Sequence, residues 1–517
     1  MVGPKISPYG TWKSPITSDL IASSAIGLSQ PRIAGDDIYW IEMRPEEGGR
    51  NVIVRQDAFG QVSDVNPPPF NARTRVHEYG GGDYVIHQNA VYFSNFADQR
   101  LYVKTDDSSP RPITAPTTSR YADPIVDAKR KRLICVREDH RAPGVEAVNS
   151  LVSLNLDQNE DSGTVIVSGN DFYSNPRLSP EGNSLAWLTW NHPNMPWDGC
   201  ELWAADLATD GSITGKRVVA GGLTESIFQP EWSPGGVLYF VSDRSGWWNI
   251  YRVSRNNDVE VVLEKNAEFG TPQWVFGLTT YAFDSADQII CTFSENGIWH
   301  LGTIDVITGK MDRVASSYTD ISYVTASGGR AVLRAGSPSQ SPAIVAMNVA
   351  ERTFRVLRRS NDLRIDPSFI SAGRAIEFPT SNGRTAHAFF YPPKSRDFIA
   401  PEGELPPLLV KSHGGPTSAA ATALSLNIQY WTSRGIAVLD VNYGGSSGYG
   451  RDYRERLKDQ WGVVDVDDCV NGARYLMQRG EVDGNRLMIT GGSAGGYTTL
   501  CALTFHDEFK AGASHFG

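Results

Sequence analysis

The sequence predicts a seven-bladed β-propeller followed by a mostly parallel α/β domain. Three observations carry this reading. The chain has 517 residues, more than one hydrophobic core usually holds. It contains 50 Gly, 30 Pro, 13 Trp and 20 Tyr, the mixture of turn formers and aromatics that many short strands require. A strand–turn–strand unit recurs from about residue 30 to about residue 350, and beyond it strands alternate with helices.

The recurring units begin at Ile33, Tyr84, Pro124, Asn175, Gln229, Pro272 and Ile321. A spacing of roughly 40–55 residues is the period of a propeller blade, whose sheet buries its faces against its neighbours. The turns Ser179-Pro180-Glu181-Gly182 and Ser233-Pro234-Gly235-Gly236 supply residues that tolerate a left-handed backbone between adjacent strands. A pair of unrelated β-sandwiches would use similar strands. The rhythm persists through all seven units, which favours the ring.

Past Pro367 the pattern changes. IEFPTSNGRTAHAFFYPP reads as a hairpin turning at Asn382-Gly383, and LPPLLVKSHGG as a buried strand ending in glycines. SLNIQYWTSRG is a helix stopped by Gly435, and IAVLDVNYGG is another buried strand. A helix from near Val464 ends in RYLMQRG, and RLMITGG is a strand. YTTLCALTFHDEF is the following helix, and KAGASHFG begins one more strand. Continuously apolar strands alternating with helices mark a helix-covered parallel sheet. The expected organisation is an N-terminal arm over 1–28, the propeller over 29–365 and the α/β domain over 366–517.

Composition excludes several classes. With 48 Lys+Arg against 58 Asp+Glu, the net charge of −10 disfavours a nucleic-acid partner, which needs a basic surface. Cys135, Cys200, Cys291, Cys469 and Cys501 are odd in number and far apart, so neither a zinc site nor a disulfide framework is suggested. No apolar run approaches the ~18–20 residues of a membrane helix, and the first residues lack the pattern of a secretory signal. A reduced, cytoplasmic protein with no membrane partner is the expectation.

The strongest chemical signal is Gly491-Gly492-Ser493-Ala494-Gly495-Gly496, between the strand RLMIT and the helix YTTLCALT. That setting is a nucleophile elbow, the tight turn that lifts a serine above the sheet in α/β-hydrolases. Residues two before and two after the serine must be small, here Gly491 and Gly495. Ser493 is the expected nucleophile. The second signal is Ser412-His413-Gly414-Gly415-Pro416. Acyl transfer needs two preorganised donors for the oxyanion, and the backbone N–H groups of Gly415 and Ala494 are the candidates. His413 sits inside the glycine segment, so a structural role is expected for it. The third signal, Asp440-Val441-Asn442-Tyr443-Gly444-Gly445-Ser446-Ser447-Gly448-Tyr449-Gly450, leaves the next strand on the same rim. Tyr443 and Tyr449 either touch substrate or shape the loop wall.

HGGP, NYGGSSGYG and GGSAGGY, in this order and spacing, resemble the prolyl oligopeptidase family of serine peptidases, in its acylaminoacyl-peptidase and dipeptidyl-peptidase branch. Segments of the propeller are similar too: Thr74–Gly81 (TRVHEYGG), Leu188–Gly199 (LTWNHPNMPWDG) and Ser242–Asn249 (SDRSGWWN). The resemblance implies a propeller ahead of an α/β-hydrolase domain, attack by Ser493 with a histidine as base and an aspartate orienting it, and an acyl-enzyme. It implies oligopeptide substrates, because the propeller restricts entry, and no metal or organic cofactor. Homo-oligomerisation is left open. One departure is Gly444, where many relatives carry arginine.

A dipeptidyl peptidase needs carboxylates to hold the substrate's free α-amino group. Glu78 and Glu138, in the irregular segments HEYGGG and REDHRAPG, are the candidates, although each also reads as a solvated loop charge. An acylaminoacyl peptidase would not place a bare carboxylate there.

In this fold the triad runs Ser, then Asp or Glu, then His. The residues after Ser493 offer His506, Asp507, Glu508 and His515. His506 and Asp507 lie near the end of the elbow helix, roughly 20 Å from the serine at 1.5 Å per residue. His515 lies in or near the next strand, ahead of the loops that carry a triad. None of them is expected to complete it. The expectation is therefore a C-terminally truncated peptidase, its hydrolase domain incomplete through strand six, inactive as written. An esterase or thioesterase of the same fold remains an alternative, as does a non-catalytic propeller module with a vestigial hydrolase.

Overall fold

The computed structural model describes all residues except 1, 2, 23, 24, 107, 141, 143 and 159. Between Gly27 and Arg359, seven four-stranded antiparallel sheets follow one another, each built from four consecutive strands. They start at Gly27, Tyr84, Ser119, Phe172, Ile227, Tyr281 and Asp320. The ring closes by packing: Leu28, Trp40 and Val52 of the first blade share a buried cluster with Val332 and Ile344 of the last. The sixth blade starts later than the sequence suggests. Pro272–Leu278 contributes no strand and instead forms a loop, because Pro272, Gly270 and Gly277 interrupt pairing.

A recurring device, invisible in the sequence, links the blades. In five first strands, among the described residues, the register slips around a non-glycine residue with a left-handed backbone: Gln30, Asp123, Asn175, Gln229 and Tyr323. Such bulges re-aim a side chain. Gln30 Nε2 donates to Asp83 Oδ2 at 2.6 Å, Asp123 Oδ2 accepts from Asn175 N at 2.8 Å, and Gln229 Oε1 accepts from Thr280 N at 2.7 Å. Each bond joins one blade to the next.

The second sheet has six strands. The hairpin Arg374–Pro379 and Thr385–Tyr391 is antiparallel and turns through Asn382 (φ 62°) and Gly383 (φ 69°). It pairs with Ala437–Asn442, followed in the sheet by Leu408–Ser412, Leu487–Gly492 and Ala511–His515, all mutually parallel. The order is a consequence of helical crossovers: Leu426–Thr432 and Val464–Gln478 link these strands, and Ala494–Phe505 follows the elbow. Register decides function here. Ser412 pairs with Val441 on one side and with Gly491 on the other. All three glycine-rich segments therefore leave the sheet at one carboxyl edge, where α/β sheets place their ligands.

The N-terminal arm lies against this second sheet before the chain enters the ring. Lys5–Ile6 pairs with Phe398–Ile399, and Trp12 stacks on Phe398 at 6.4 Å and 12°. Ring and sheet also meet through buried charge. Asp243 accepts from Arg451 and Arg454 at 2.6 Å each, and Glu268 accepts from Gly450 N at 3.0 Å. Among the described residues, no helix is long and apolar enough to cross a membrane.

Candidate active site

Ser493 sits at the turn between strand and helix with φ 53° and ψ −123°, and it is exposed. A non-glycine residue there is strained, and the glycines around it make the turn possible. A Cβ on Gly491 would lie 2.2 Å from the Gly495 carbonyl oxygen, and one on Gly495 would lie 2.2 Å from that of Ser412. Neither can carry a side chain. Ser493 N–H donates to the His515 carbonyl at 2.8 Å, which ties the turn to the neighbouring strand.

The glycine segment after Ser412 lies directly on this turn. A Cβ on Gly414 would stand 3.5 Å from the Ser493 Cβ. Gly415 has φ 129°, a conformation that leaves its N–H outside any regular pairing. Among the described residues, neither the Gly415 nor the Ala494 N–H finds a protein acceptor. The Ala494 N–H is also the first of its helix, where backbone donors and the helix dipole favour negative charge.

His413 holds the segment in place. Its ring stacks on Tyr443 at 4.3 Å, its Nε2 meets Ser446 Oγ at 2.7 Å, and Tyr443 Oη donates to the His413 carbonyl at 3.0 Å. Burial keeps the imidazole neutral, lowering its pKa from 6.5 to about 4. Between those values the unfolded chain binds a proton that the folded chain refuses, so stability is lost as pH falls through this window. The loss from His413 is about 3 kcal/mol. Urea unfolding at pH 7 and pH 4.5 is expected to show a smaller drop for His413→Asn than for the wild type. Equal drops would contradict the assignment.

Tyr443, one of two tyrosines considered for substrate contact, is fully buried. Its ring belongs to the domain core, so it supports the oxyanion segment and meets no substrate. Tyr449 is likewise turned away. It stacks on His387 at 4.2 Å, accepts from Asn442 Nδ2 at 2.9 Å, and presses against the propeller backbone at Gly297. The departure at Gly444 has a local cause: a Cβ there would lie 2.7 Å from Val464 Cγ1 and 3.2 Å from the Arg456 stem. Its N–H is held by Asp468 at 2.7 Å.

Glu78 and Glu138 come together, bridged by Arg120, whose Nη1 lies 2.8 Å from Glu78 and 3.1 Å from Glu138. Their roles differ. Glu138 is buried, and both its oxygens are engaged, one by the His77 N–H at 2.7 Å and the other by Arg120 and His140. It positions the loop and is closed to a ligand. Glu78 has a side chain 64% exposed, and Arg120 and Arg75 hold its carboxyl below the ordinary range. His77 and Glu78 both adopt left-handed backbones (φ 53° and 64°), a cost that folds tend to carry at functional sites.

The loop that the repeat pattern took for a strand joins this corner to the oxyanion segment. Trp274 Nε1 donates to the Thr417 carbonyl at 2.7 Å, two residues beyond Gly415. No residue spacing in the sequence announces that contact. The base is a different matter. Among the described residues no histidine or carboxylate is hydrogen-bonded to the Ser493 hydroxyl, and His506 pairs instead with Glu508 at 3.8 Å. His515 contributes its backbone carbonyl.

Known proteins share this fold and family. Residues 422–517 match the prolyl oligopeptidase family model. The chain is 31% identical over 145 residues to dipeptidyl aminopeptidase BIII of Pseudoxanthomonas mexicana, a stretch covering 28% of this chain and only 21% of that enzyme. The crystal structure of a puromycin hydrolase superimposes with a TM-score of 0.93 at 36% identity, covering 98% of this chain and 80% of the other. A puromycin-hydrolyzing peptidase of Mycobacterium tuberculosis gives 0.93 at 39% identity, covering 98% and 79%.

Proposed function

Because this chain belongs to the prolyl oligopeptidase family of serine peptidases, we propose that its site serves an exopeptidase acting on short peptides and aminoacyl amides with a free α-amino group. Given a general base to take the Ser493 hydroxyl proton and return it to the departing amine, Ser493 Oγ would add to the carbonyl carbon. The N–H groups of Gly415 and Ala494 would receive the oxyanion, and water would then cleave the acyl-enzyme. Among the described residues the chain supplies the nucleophile and the oxyanion donors. The observation that carries the reading is Glu78, an ionised and exposed carboxylate in a corner tied to the oxyanion segment by Trp274. Between the dipeptidyl and acylaminoacyl alternatives, a 64% exposed carboxylate there supports the free amine, which would compete with Arg75 and Arg120 for its two oxygens. Puromycin, an aminoacyl amide with a free α-amino group, has the required chemistry. The surrounding propeller would admit only short chains.

Binding tests this directly. Isothermal titration of the protein with phenylalanine amide and with its N-acetyl derivative is expected to favour the free amine by at least about tenfold, as a charge-assisted hydrogen bond would. Glu78→Gln is expected to abolish the preference. Equal binding of the two ligands would overturn the proposal.

One observation favours a second reading, a binding module without turnover: the Ser493 hydroxyl has no base against it among the described residues. A polypeptide of these 517 residues alone is therefore expected to hydrolyse puromycin on the order of 10⁶-fold more slowly than an enzyme with an intact triad. Puromycin turnover measured beside Ser493→Ala decides this, and Ser493-dependent turnover near 1 per second, within the usual enzyme range, would reject it.

A further inference from the structure

Beside Glu78 the propeller opens a cleft of about 530 Å³, within the range of small-ligand sites. Aromatic rings line it together with the carboxylates of Glu78, Glu138 and Glu146. Phe172 and Trp190 stack at 5.4 Å and 17°. His77 meets both edge-on, at 5.1 Å and 5.6 Å, and burial keeps its imidazole neutral by lowering its pKa to about 4. Across the mouth, Tyr79 and Trp274 face each other at 5.5 Å in a T-shaped pair, with Tyr79 62% exposed. Carboxylate and aromatic walls occupy one cleft because His77, Glu78 and Tyr79 are consecutive in the strained loop.

We infer that this cleft receives an aromatic side chain, that of the substrate's N-terminal residue, whose ammonium group Glu78 holds. The inference rests on the Glu78 reading above and adds the side-chain class to it. A ring entering here meets offset and edge-on partners, the arrangements aromatic pairs prefer. An anionic side chain would meet the carboxylates of Glu78, Glu138 and Glu146, which line the same cleft. A methyl group would leave most of the space to water. Trp274 connects the cleft to the oxyanion segment, since it lines the cleft and its Nε1 donates to the Thr417 carbonyl two residues from Gly415.

The probes are phenylalanine amide, alanine amide and N-acetyl-phenylalanine amide, titrated against the full chain by calorimetry and by quenching of tryptophan fluorescence. Phenylalanine amide is expected to bind about 30-fold more tightly than alanine amide, from the ring area buried. Tyr79→Ala, at an exposed position, and Phe172→Ala are each expected to cut that ratio below about fivefold while alanine amide binds as before. The thermal midpoint of each variant verifies that it folds. Equal affinity for the phenylalanine and alanine amides would overturn the inference, as would an unchanged ratio in Tyr79→Ala and in a folded Phe172→Ala. If the acetylated ligand binds as well as the free amine while the ring preference persists, the Glu78 reading fails and the aromatic cleft stands.

Discussion

Gly495→Ala is expected to cost about 3 kcal/mol or more and to dismantle the elbow, although it adds one methyl group at a helical position. The new Cβ would stand 2.2 Å from the Ser412 carbonyl oxygen and 2.7 Å from that of His413. Both are backbone atoms, and both belong to the segment that places Gly415. Relief requires the helix to move away from the parallel strand or the oxyanion segment to shift, and overpacking of this kind exceeds the ordinary cost of a surface change. Gly492→Ala is the internal control, since its nearest neighbour would be the His515 carbonyl at 3.7 Å. Urea unfolding of the two variants should differ by most of that figure. Equal stability of the two would show that the elbow is not sterically closed.

Asp243→Ala is expected to destabilise the protein by about 3–5 kcal/mol, the range for a buried ion pair that loses one partner. Arg454 has a side chain 4% exposed, lies 4.1 Å above the Trp248 ring, and takes its charge partner from Asp243. Arg451 donates to the same oxygen. Removing that carboxylate leaves the buried Arg454 guanidinium without an ion-pair partner among the described residues, while Arg451 keeps Glu455. Burial pushes the Asp243 pKa up despite both arginines, so desolvation dominates at this contact. Denaturation should be accompanied by earlier proteolytic cleavage between the ring and the α/β sheet. A loss below about 1 kcal/mol would mean that solvent reaches the cluster.

Much of this molecule is legible without coordinates where the constraint is local. The elbow is one such place, because a strand, a tight turn and a helix N-terminus within six residues leave few alternatives to glycine around Ser493. The hairpin at Asn382-Gly383 is another, since consecutive left-handed residues are cheap for that pair. The seven-fold rhythm is legible because each blade is one local unit that needs a neighbour.

What is not legible is which way a side chain faces once the units pack. Tyr443 and Tyr449 sit in a glycine-rich loop on the right rim, and local sequence leaves open whether they touch substrate or shape the loop wall. The fold buries one behind His413 and turns the other to Gly297. Glu78 and Glu138 look alike in sequence and share Arg120, yet the His77 N–H and His140 also engage the second, which is buried, while the first stays exposed. Pro272–Leu278 reads as a strand because it is apolar and aromatic, and it is instead the loop that lines the cleft and reaches Thr417.

The sequence by itself determined the two architectures, the nucleophile turn and the glycines it needs, because these follow from backbone sterics over a few residues. The tertiary structure decided the division of labour between the paired glutamates, the aromatic walls beside them and the buried charges joining ring to sheet. Those depend on residues such as Arg120, Trp274 and Arg454, which stand tens to hundreds of positions from their partners and acquire meaning only when burial removes the water between them.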